Sequence, residues 1–151
     1  MTKKSTPKNN DNSNYFKELL KNYIIMGVEI SQNEKELTRL QNRRASISCG
    51  NEYSEEQREA LRKVIDNVIE NLVETQKRIF ASRTEAEYIV SRLPSKLSTI
   101  LRMRYFLGNS WNVIERELYD IDPTYTKSKI LKAHNRAIAL GEGIRQKCNS
   151  K

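Results

Sequence analysis

Apolar side chains recur at alternating steps of three and four residues along residues 15–46. This is the spacing of a coiled-coil seam, and it has one polar exception at Asn33. The seam positions are Phe16, Leu19, Tyr23, Met26, Ile30, Leu37 and Leu40. Residues 23–26 widen the apolar stripe, so we expect this helix to touch more than one neighbour. The helix is expected to end within residues 46–50, because Gly50 can terminate it or open the turn.

A second long helix is predicted to begin after Ser54, where Ser54 and Gln57 have the spacing of a capping box. Its apolar and small positions again step by three and four: Leu61, Ile65, Val68, Leu72, Thr75, Ile79, Ser82, Ala86, Ile89 and Leu93. This pattern predicts about 38 helical residues to about Arg92, or about 57 Å of helix. Pro94 disfavours helical geometry at Leu93, so we place a domain boundary there.

Two long helices with a short loop between them are predicted to fold back as an antiparallel coiled-coil hairpin over residues 15–92. A pair of helices buries little apolar surface by itself. We therefore expect a homo-oligomer, most simply a second copy that completes a four-helix bundle. The alternative is a monomeric hairpin that the C-terminal segment closes.

The pattern of residues 93–151 differs, because its helices are short and separated by turn residues. Within residues 95–106 one apolar face is formed by Leu97, Ile100, Leu101 and Tyr105. Gly108 permits the left-handed turn that ends a helix. Ser110 is a good N-cap for a short helix, whose inward positions are Trp111, Ile114 and Leu118. Residues 120–123 have turn chemistry.

A last helix is predicted to start within residues 123–126 and to run to about Leu140 or beyond. Its inner face is Ile130, His134, Ala137 and Gly141. Its outer face carries Lys127, Ser128, Lys132, Asn135 and Arg136, with Lys129 on the flank. The predicted order is a helix, a turn, a short helix and then a basic helix. This order is what places one helix in a DNA major groove. We take these six outer residues as candidate DNA contacts and add Ser110, Asn112 and Arg102.

The net charge of +8 agrees with this interpretation because it is local. Residues 15–92 carry 13 basic and 13 acidic side chains, whereas residues 93–151 carry 11 basic and five acidic ones. A basic segment attracts a phosphate backbone. Residues 1–14 are polar, with three lysines and one aspartate, and are predicted to form a disordered tail.

Composition excludes several other classes of protein. No apolar run approaches the length of a membrane span, and the first residues lack the apolar core of a secretion signal. Cys49 and Cys148 lack metal-ligand spacing and suit a reducing compartment. We therefore predict a cytoplasmic protein of a bacterial host cell, without a membrane partner. The absence of a phosphate-binding glycine loop or a cysteine–histidine cluster predicts that it is not an enzyme and has no cofactor.

The C-terminal segment resembles region four of the sigma-70 family. The resemblance rests on LRMRYFLGNSW at 101–111, on Ile114, on YTKSKI at 125–130 and on HNRA at 134–137. They are more closely similar to the ArpU-like proteins, small phage-encoded regulators of late transcription. Glu115 stands where the family usually has a small residue, and the link from Ile114 to Thr126 is longer than usual. The resemblance implies a C-terminal helix-turn-helix, activation of late genes and a contact with host RNA polymerase.

Several residues have both a structural and a functional interpretation. Arg102 and Arg104 could hold phosphates, and a salt bridge to Glu115 or Glu117 is the alternative for Arg104. Trp111 is expected to pack in the core rather than stack on DNA. His134, the only histidine, is expected to pack or hydrogen-bond rather than to bind a metal.

The sequence as a whole predicts an all-α protein with a polar tail at 1–14, a long hairpin at 15–92 that mediates oligomerisation, and a sigma-70 region-four-like helix-turn-helix at 93–151. The expected function is sequence-specific binding of double-stranded DNA by a phage or prophage transcription regulator. One alternative is a small terminase subunit that recognises packaging DNA, although its DNA-binding part commonly comes first in the chain. The other is an adaptor that binds RNA polymerase without reading bases.

Overall fold

A computed structural model of the protein describes residues 15–50 and 52–149, and these residues are helical apart from short turns. The predicted tail at 1–14 lies outside them. The α-helices are α1 (Tyr15–Lys21), α2 (Tyr23–Cys49), α3 (Glu55–Ser91), α4 (Ser95–Leu101), α5 (Trp111–Ile121) and α6 (Lys127–Asn149). A π-helical turn, Arg102–Phe106, follows α4 directly. The prediction of an all-α protein is confirmed. Each of these helices is too short or too polar to cross a membrane.

The start of α3 shows both hydrogen bonds of the predicted capping box. The backbone N–H of Gln57 donates to Ser54 Oγ at 3.2 Å, and the N–H of Ser54 donates to Gln57 Oε1 at 2.9 Å. The two bonds satisfy amides that the first helical turn leaves unpaired. The helix then runs without interruption to Ser91, within one residue of the predicted end.

Contacts divide the chain into two compact units. Among the described residues, the terminal unit contains residues 15–24 and 83–149, and the middle unit is Ile25–Ser82. The boundaries between the units therefore lie inside α2 and α3, whereas the sequence predicts a boundary at Pro94. Residues 15–24 and 83–92 pack with the C-terminal segment, because their apolar side chains belong to its core.

The middle unit pairs residues of α2 with residues of α3. Its apolar cluster consists of Leu40, Ile47 and Ile65, with Leu61, Ile69 and Leu72 packed against it. Arg44 Nε lies 2.5 Å from Asp66 Oδ1, and Asn33 Nδ2 donates to Gln76 Oε1 at 3.0 Å. As residue numbers rise along α2, those of the partners fall along α3.

The polar exception in the predicted seam, Asn33, is explained by its partner. Gln76 accepts from Asn33 and donates through Nε2 to the Ile30 carbonyl oxygen at 3.0 Å. Both half-buried amides therefore have hydrogen-bond partners, as partly buried polar groups need. A single polar pair of this kind also favours one register of the two helices over its neighbours.

The terminal unit has a continuous apolar core. The main cluster is Phe16, Leu20, Ile89, Val90, Leu93, Leu97, Leu101 and Ala137. A second cluster joins α4, α5 and α6 and consists of Ile100, Met103, Ile114, Leu118 and Ile130. Helix α6 packs against α1, α4 and α5. Of the predicted inner positions of α5 and α6, Trp111 is half-buried, and the others are buried: Ile114, Leu118, Ile130, His134, Ala137 and Gly141.

Tyr23 holds the end of the π-helical turn in place. Its ring stacks on Phe106 at 4.0 Å between centroids, and the Arg83 guanidinium lies 4.0 Å above it. Arg83 Nε also donates to the Tyr23 carbonyl oxygen at 3.1 Å, and the Tyr23 hydroxyl donates to a Glu87 carboxylate oxygen. Burial, reinforced by the Glu87 carboxylate, raises the pKa of Tyr23 to about 12. The tyrosine therefore stays neutral and serves as a packing element.

Candidate nucleic-acid interface

The turn between α4 and α5 is built from backbone geometry that the sequence dictates. In the π-helical turn the N–H of Leu107 donates to the Arg102 carbonyl oxygen at 2.9 Å, five residues back. Gly108 then has φ of 74°, a region that L side chains rarely adopt. Ser110 caps α5 by accepting from the N–H of Val113 at 3.3 Å. The turn thus links the π-helical segment to α5, whose Ile114 and Leu118 share an apolar cluster with Ile100 of α4.

The longer turn before α6 is ordered by Asp122. Its Oδ1 accepts from the Thr124 amide at 3.0 Å and from the Thr124 hydroxyl at 2.8 Å. The N–H of Tyr125 donates to the Asp122 carbonyl oxygen at 3.0 Å. Thr126 caps α6 by accepting from the N–H of Lys129 at 3.3 Å. The additional residues therefore form a hydrogen-bonded turn that defines where α6 begins.

Helix α6 has two contrasting faces. Ile130, His134 and Ala137 are buried against the rest of the terminal unit. The candidate DNA contacts Lys127, Ser128, Lys129, Lys132, Asn135 and Arg136 are all exposed. We call these six residues the basic face. They lie along one helix over about 14 Å, at about 1.5 Å per residue.

The cations of the basic face form no salt bridge among the described residues, although Lys129 is close enough to Asp122 to act on it electrostatically. Within residues 15–50 and 52–149, no ion pair involves Lys127, Lys129, Lys132 or Arg136. In the middle unit, by contrast, several arginines are neutralised, and the paired ones are Arg39, Arg44, Arg58 and Arg62. The basic face is therefore positioned to attract an anionic partner, whereas much of the charge on the middle unit is internally balanced.

The three other candidate contacts have different surroundings. Arg102 is exposed, and its Nη1 donates to Ser98 Oγ at 3.2 Å. Asn112 is exposed on the first turn of α5. The Ser110 hydroxyl is exposed but is already engaged as the N-cap. The structure thus places six exposed candidates along α6 and three at the ends of neighbouring elements.

Arg104 does not make the salt bridge that was one alternative for it. Its Nη1 donates to the Asn109 carbonyl oxygen at 3.2 Å, and its guanidinium lies 4.7 Å from the Trp111 ring centroid. No described glutamate pairs with it. Trp111 packs against the second apolar cluster, as expected. Arg104 and Trp111 together brace the turn from Gly108 to Ser110.

His134 is buried in a polar niche beneath the basic face. Its Nε2 lies 2.8 Å from Tyr105 Oη and its Nδ1 lies 3.2 Å from Asn135 Oδ1. The Trp111 ring contacts it edge-on at 5.0 Å between centroids. Burial lowers the pKa of His134, the hydrogen bond with Asn135 partly opposes this effect, and the positive charges of Lys17 and Arg104 lower the pKa further. The packing and hydrogen-bonding interpretation is the one that its contacts fit.

Glu142 is a residue whose role the sequence analysis missed. It is buried, yet its Oε1 accepts from the backbone N–H of Phe16 at 2.8 Å. Its Oε2 lies 2.7 Å from Arg145 Nη2. Glu142 thus satisfies an amide at the start of α1 and joins α1 to α6. The available signal was its position next to Gly141, on the inner face of the last helix.

Other kinds of site have little support in the described residues. Between residues 15 and 149, leaving out residue 51, no three His, Cys, Asp or Glu side chains are grouped to hold a metal ion. Cys49 and Cys148 are free and exposed. Searches of family models, curated proteins and solved structures gave no match to this chain.

Proposed function

We propose that the protein is a sequence-specific, double-stranded DNA-binding regulator of transcription. In this proposal α4, α5 and α6 form a helix-turn-helix, and α6 is the recognition helix. The observation that carries the proposal is the basic face, because its exposed cations form no salt bridge among the described residues while Ile130, His134 and Ala137 anchor the same helix in the core. A rigid helix that presents positive charge and hydrogen-bond donors is what the major groove accepts.

The turn geometry supports this proposal. A recognition helix must start at a defined point, because its first residues contact base edges. Thr126 and the Asp122 turn define that start in α6. Gly108 and the Ser110 cap define the preceding turn. Phage or prophage origin and action on late genes rest on the resemblance to the sigma-70 region-four and ArpU-like proteins.

We further propose that α2 and α3 form an antiparallel coiled-coil hairpin that assembles two copies. The pairing of Arg44 with Asp66 and of Asn33 with Gln76 supports the hairpin. Val64 and Val68, one turn apart on α3, remain 59% and 44% exposed, which leaves apolar surface for a second copy. Two copies would present two recognition helices, which suits a site made of two half-sites.

A second candidate function is an adaptor that binds host RNA polymerase. The observation that favours it is at the end of α5, where Ile121 is 80% and Tyr119 is 54% exposed. Exposed apolar side chains of this kind commonly mark a protein interface when they form a patch. The two functions are compatible, because a regulator that reads a promoter can also touch the polymerase.

The direct test is selection of duplexes from a random DNA library, followed by fluorescence anisotropy titrations over a range of salt concentrations. Each phosphate that a cation neutralises contributes about −0.9 to the slope of log affinity against log salt. We expect a steep negative slope that becomes shallower in Lys127→Glu and Lys132→Glu. The matched control is Lys77→Glu, an equal charge change on the middle unit, which should leave the slope unchanged. A salt-independent interaction, or polymerase binding without any DNA affinity, would favour the adaptor instead.

A further inference from the structure

His134 connects a core side chain to a surface side chain through its two ring nitrogens. Nε2 lies 2.8 Å from the Tyr105 hydroxyl, and Nδ1 lies 3.2 Å from Asn135 Oδ1. Tyr105 belongs to the π-helical turn and is half-buried, whereas Asn135 is exposed on the basic face. The three residues therefore form a hydrogen-bonded chain from the interior of the terminal unit to its surface.

The chemistry of the three groups allows one direction of donation along this chain. An amide oxygen can only accept, so His134 Nδ1 must carry the proton that it shares with Asn135. A neutral imidazole has a single N–H, so Nε2 is an acceptor and the Tyr105 hydroxyl is its donor. The neutral form is favoured here, because burial and two nearby cations lower the pKa of His134. Tyr105 therefore donates to His134, and His134 donates to Asn135.

This direction determines which group Asn135 shows to a partner. Its oxygen is held inward by His134, so the amide NH₂ is the group left for an external contact. No described residue is hydrogen-bonded to that NH₂. An asparagine whose amide could turn freely would offer either a donor or an acceptor. With its oxygen engaged, Asn135 offers donors alone.

We propose that Tyr105 and His134 are positioning residues that hold Asn135 as a hydrogen-bond donor toward a phosphate oxygen of DNA. This inference rests on the proposed function. Phosphate oxygens are acceptors, which matches the fixed donor. Asn135 lies eight residues after Lys127, about 12 Å along α6. At that distance a recognition helix leaves the groove and meets the backbone more often than base edges.

The direction of the chain can be measured without DNA. In ¹⁵N NMR of the full-length protein, the two ring nitrogens of the single histidine report which one carries the proton. We expect the Nδ1–H tautomer. The Nε2–H tautomer would require Nδ1 to accept from the Asn135 amide, which would turn the Asn135 oxygen outward and overturn the proposal.

The contact with DNA is tested by Asn135→Asp, which keeps the inward acceptor but replaces the outward donor with a charged oxygen. We expect about a tenfold or larger loss of affinity, since a hydrogen bond to a charged group is replaced by repulsion. The loss should be equal for a selected duplex and a scrambled one. Asn42→Asp adds the same charge on the middle unit and should change affinity less than about twofold.

The positioning role is tested by Tyr105→Phe, which keeps the ring and removes the hydroxyl donor. We expect affinity to fall about two- to tenfold, in line with one ordinary hydrogen bond. The NMR spectrum should show that the Nδ1–H tautomer is no longer dominant, and circular dichroism should show a retained fold. If Tyr105→Phe has this spectrum but binds like the wild type, positioning is excluded.

The remaining outcomes separate this inference from the proposed function. If the wild type binds no selected duplex, the proposed function fails and the inference fails with it. If the wild type binds but Asn135→Asp binds equally well, only the inference fails. If Asn135→Asp changes the preferred sequence instead of lowering both affinities, Asn135 contacts a base and the phosphate assignment is wrong.

Discussion

The ring of Phe16 occupies the space beside Gly141 that a side chain at that position would need. A Cβ added to Gly141 would overlap the Phe16 ring, whereas a Cβ added to Gly143 would meet no neighbour within 4 Å. Phe16 is fully buried, and its backbone N–H is held by Glu142. Helix α1 is therefore packed into a notch on α6.

This notch predicts opposite effects for two glycine substitutions in α6. Gly143→Ala should stabilise the protein by up to about 1 kcal/mol, because alanine is the better helix former. Gly141→Ala has the same helix-forming benefit but must displace Phe16, and overpacking costs about 1–3 kcal/mol. We expect Gly141→Ala to lower the free energy of unfolding in urea titrations. Equal stabilisation by both substitutions would show that α1 is not seated on Gly141.

The composition of the terminal unit predicts that a fragment of residues 93–151 does not fold by itself. Phe16, Leu20, Ile89 and Val90 belong to its main cluster and would be missing. Loss of one large core side chain already costs about 2–5 kcal/mol, and a whole small domain has only about 5–15 kcal/mol of stability. Circular dichroism should show a largely unfolded fragment. A cooperative thermal transition in that fragment would contradict this expectation.

The exposed valines of α3 predict how assembly can be disrupted without unfolding the chain. Val64→Asp combined with Val68→Asp places two charges on the surface proposed to meet a second copy, and burying them unpaired would be costly. We expect the double variant to sediment as a monomer at concentrations where the wild type is larger. Lys77→Glu makes an equal change in net charge at an exposed position elsewhere on α3 and should not change the sedimentation. A wild type that is monomeric at tens of micromolar would refute assembly through the hairpin.

The niche of His134 predicts that stability falls as the solution becomes acidic. Burial, Lys17 and Arg104 lower the pKa of His134 in the folded protein below its ordinary value of 6.5. The unfolded chain therefore binds a proton that the folded protein resists, so the free energy of unfolding decreases as pH falls below about 6.5. Urea titrations between pH 5 and pH 7.5 should show this slope. His134→Gln should be less stable than the wild type at neutral pH. Its free energy of unfolding should also change less with pH in the range where histidine titrates and carboxylates are already ionised.

If α6 is the recognition helix, as proposed, the order of its residues predicts two classes of variant. Lys127 and Lys132 lie on the first two turns, where side chains reach base edges. Lys127→Ala and Lys132→Ala should each cost about 1–3 kcal/mol on a selected site and relax its sequence preference. Arg136→Ala should weaken binding to all duplexes alike and reduce the salt slope by about one. Unchanged preference in both lysine variants would show that another surface reads the DNA.

The sequence predicted most of the local structure, because local structure depends on neighbouring residues. Short sequence motifs are enough to predict three features of the structure. These are the capping box at Ser54 and Gln57, the left-handed turn at Gly108 and the cap at Ser110. The buried face of α6 follows from helical spacing alone. The exposure of Ser128, Lys132 and Asn135 follows from the same spacing, whereas Lys127 is exposed because it is the first residue of the helix.

The same information does not show which distant segments meet. The boundary at Pro94 was a reasonable interpretation of a proline, yet Phe16 and Ile89 pack with residues of the C-terminal segment. Nothing in the spacing of α1 identifies Gly141 as the site for Phe16, or Glu142 as the acceptor for its amide. A seam shows that a face is buried but does not say against what. Val68 illustrates this limit, since it occupies a seam position and remains exposed in the single chain.

By itself, therefore, the sequence determined most of the helical segments, the caps at Ser54 and Ser110 and the turn at Gly108, because these depend on backbone preferences and on contacts within a few residues. It did not predict the break at Asn22 or the π-helical turn. It also determined that positive charge is concentrated after residue 93. The tertiary structure alone decided that α1 completes the core of the C-terminal segment. It also decided that Tyr105, 29 residues before His134, lies within hydrogen-bond distance of it. Such pairings depend on how apolar faces from distant parts of the chain share one core, and that sharing is a property of the whole fold.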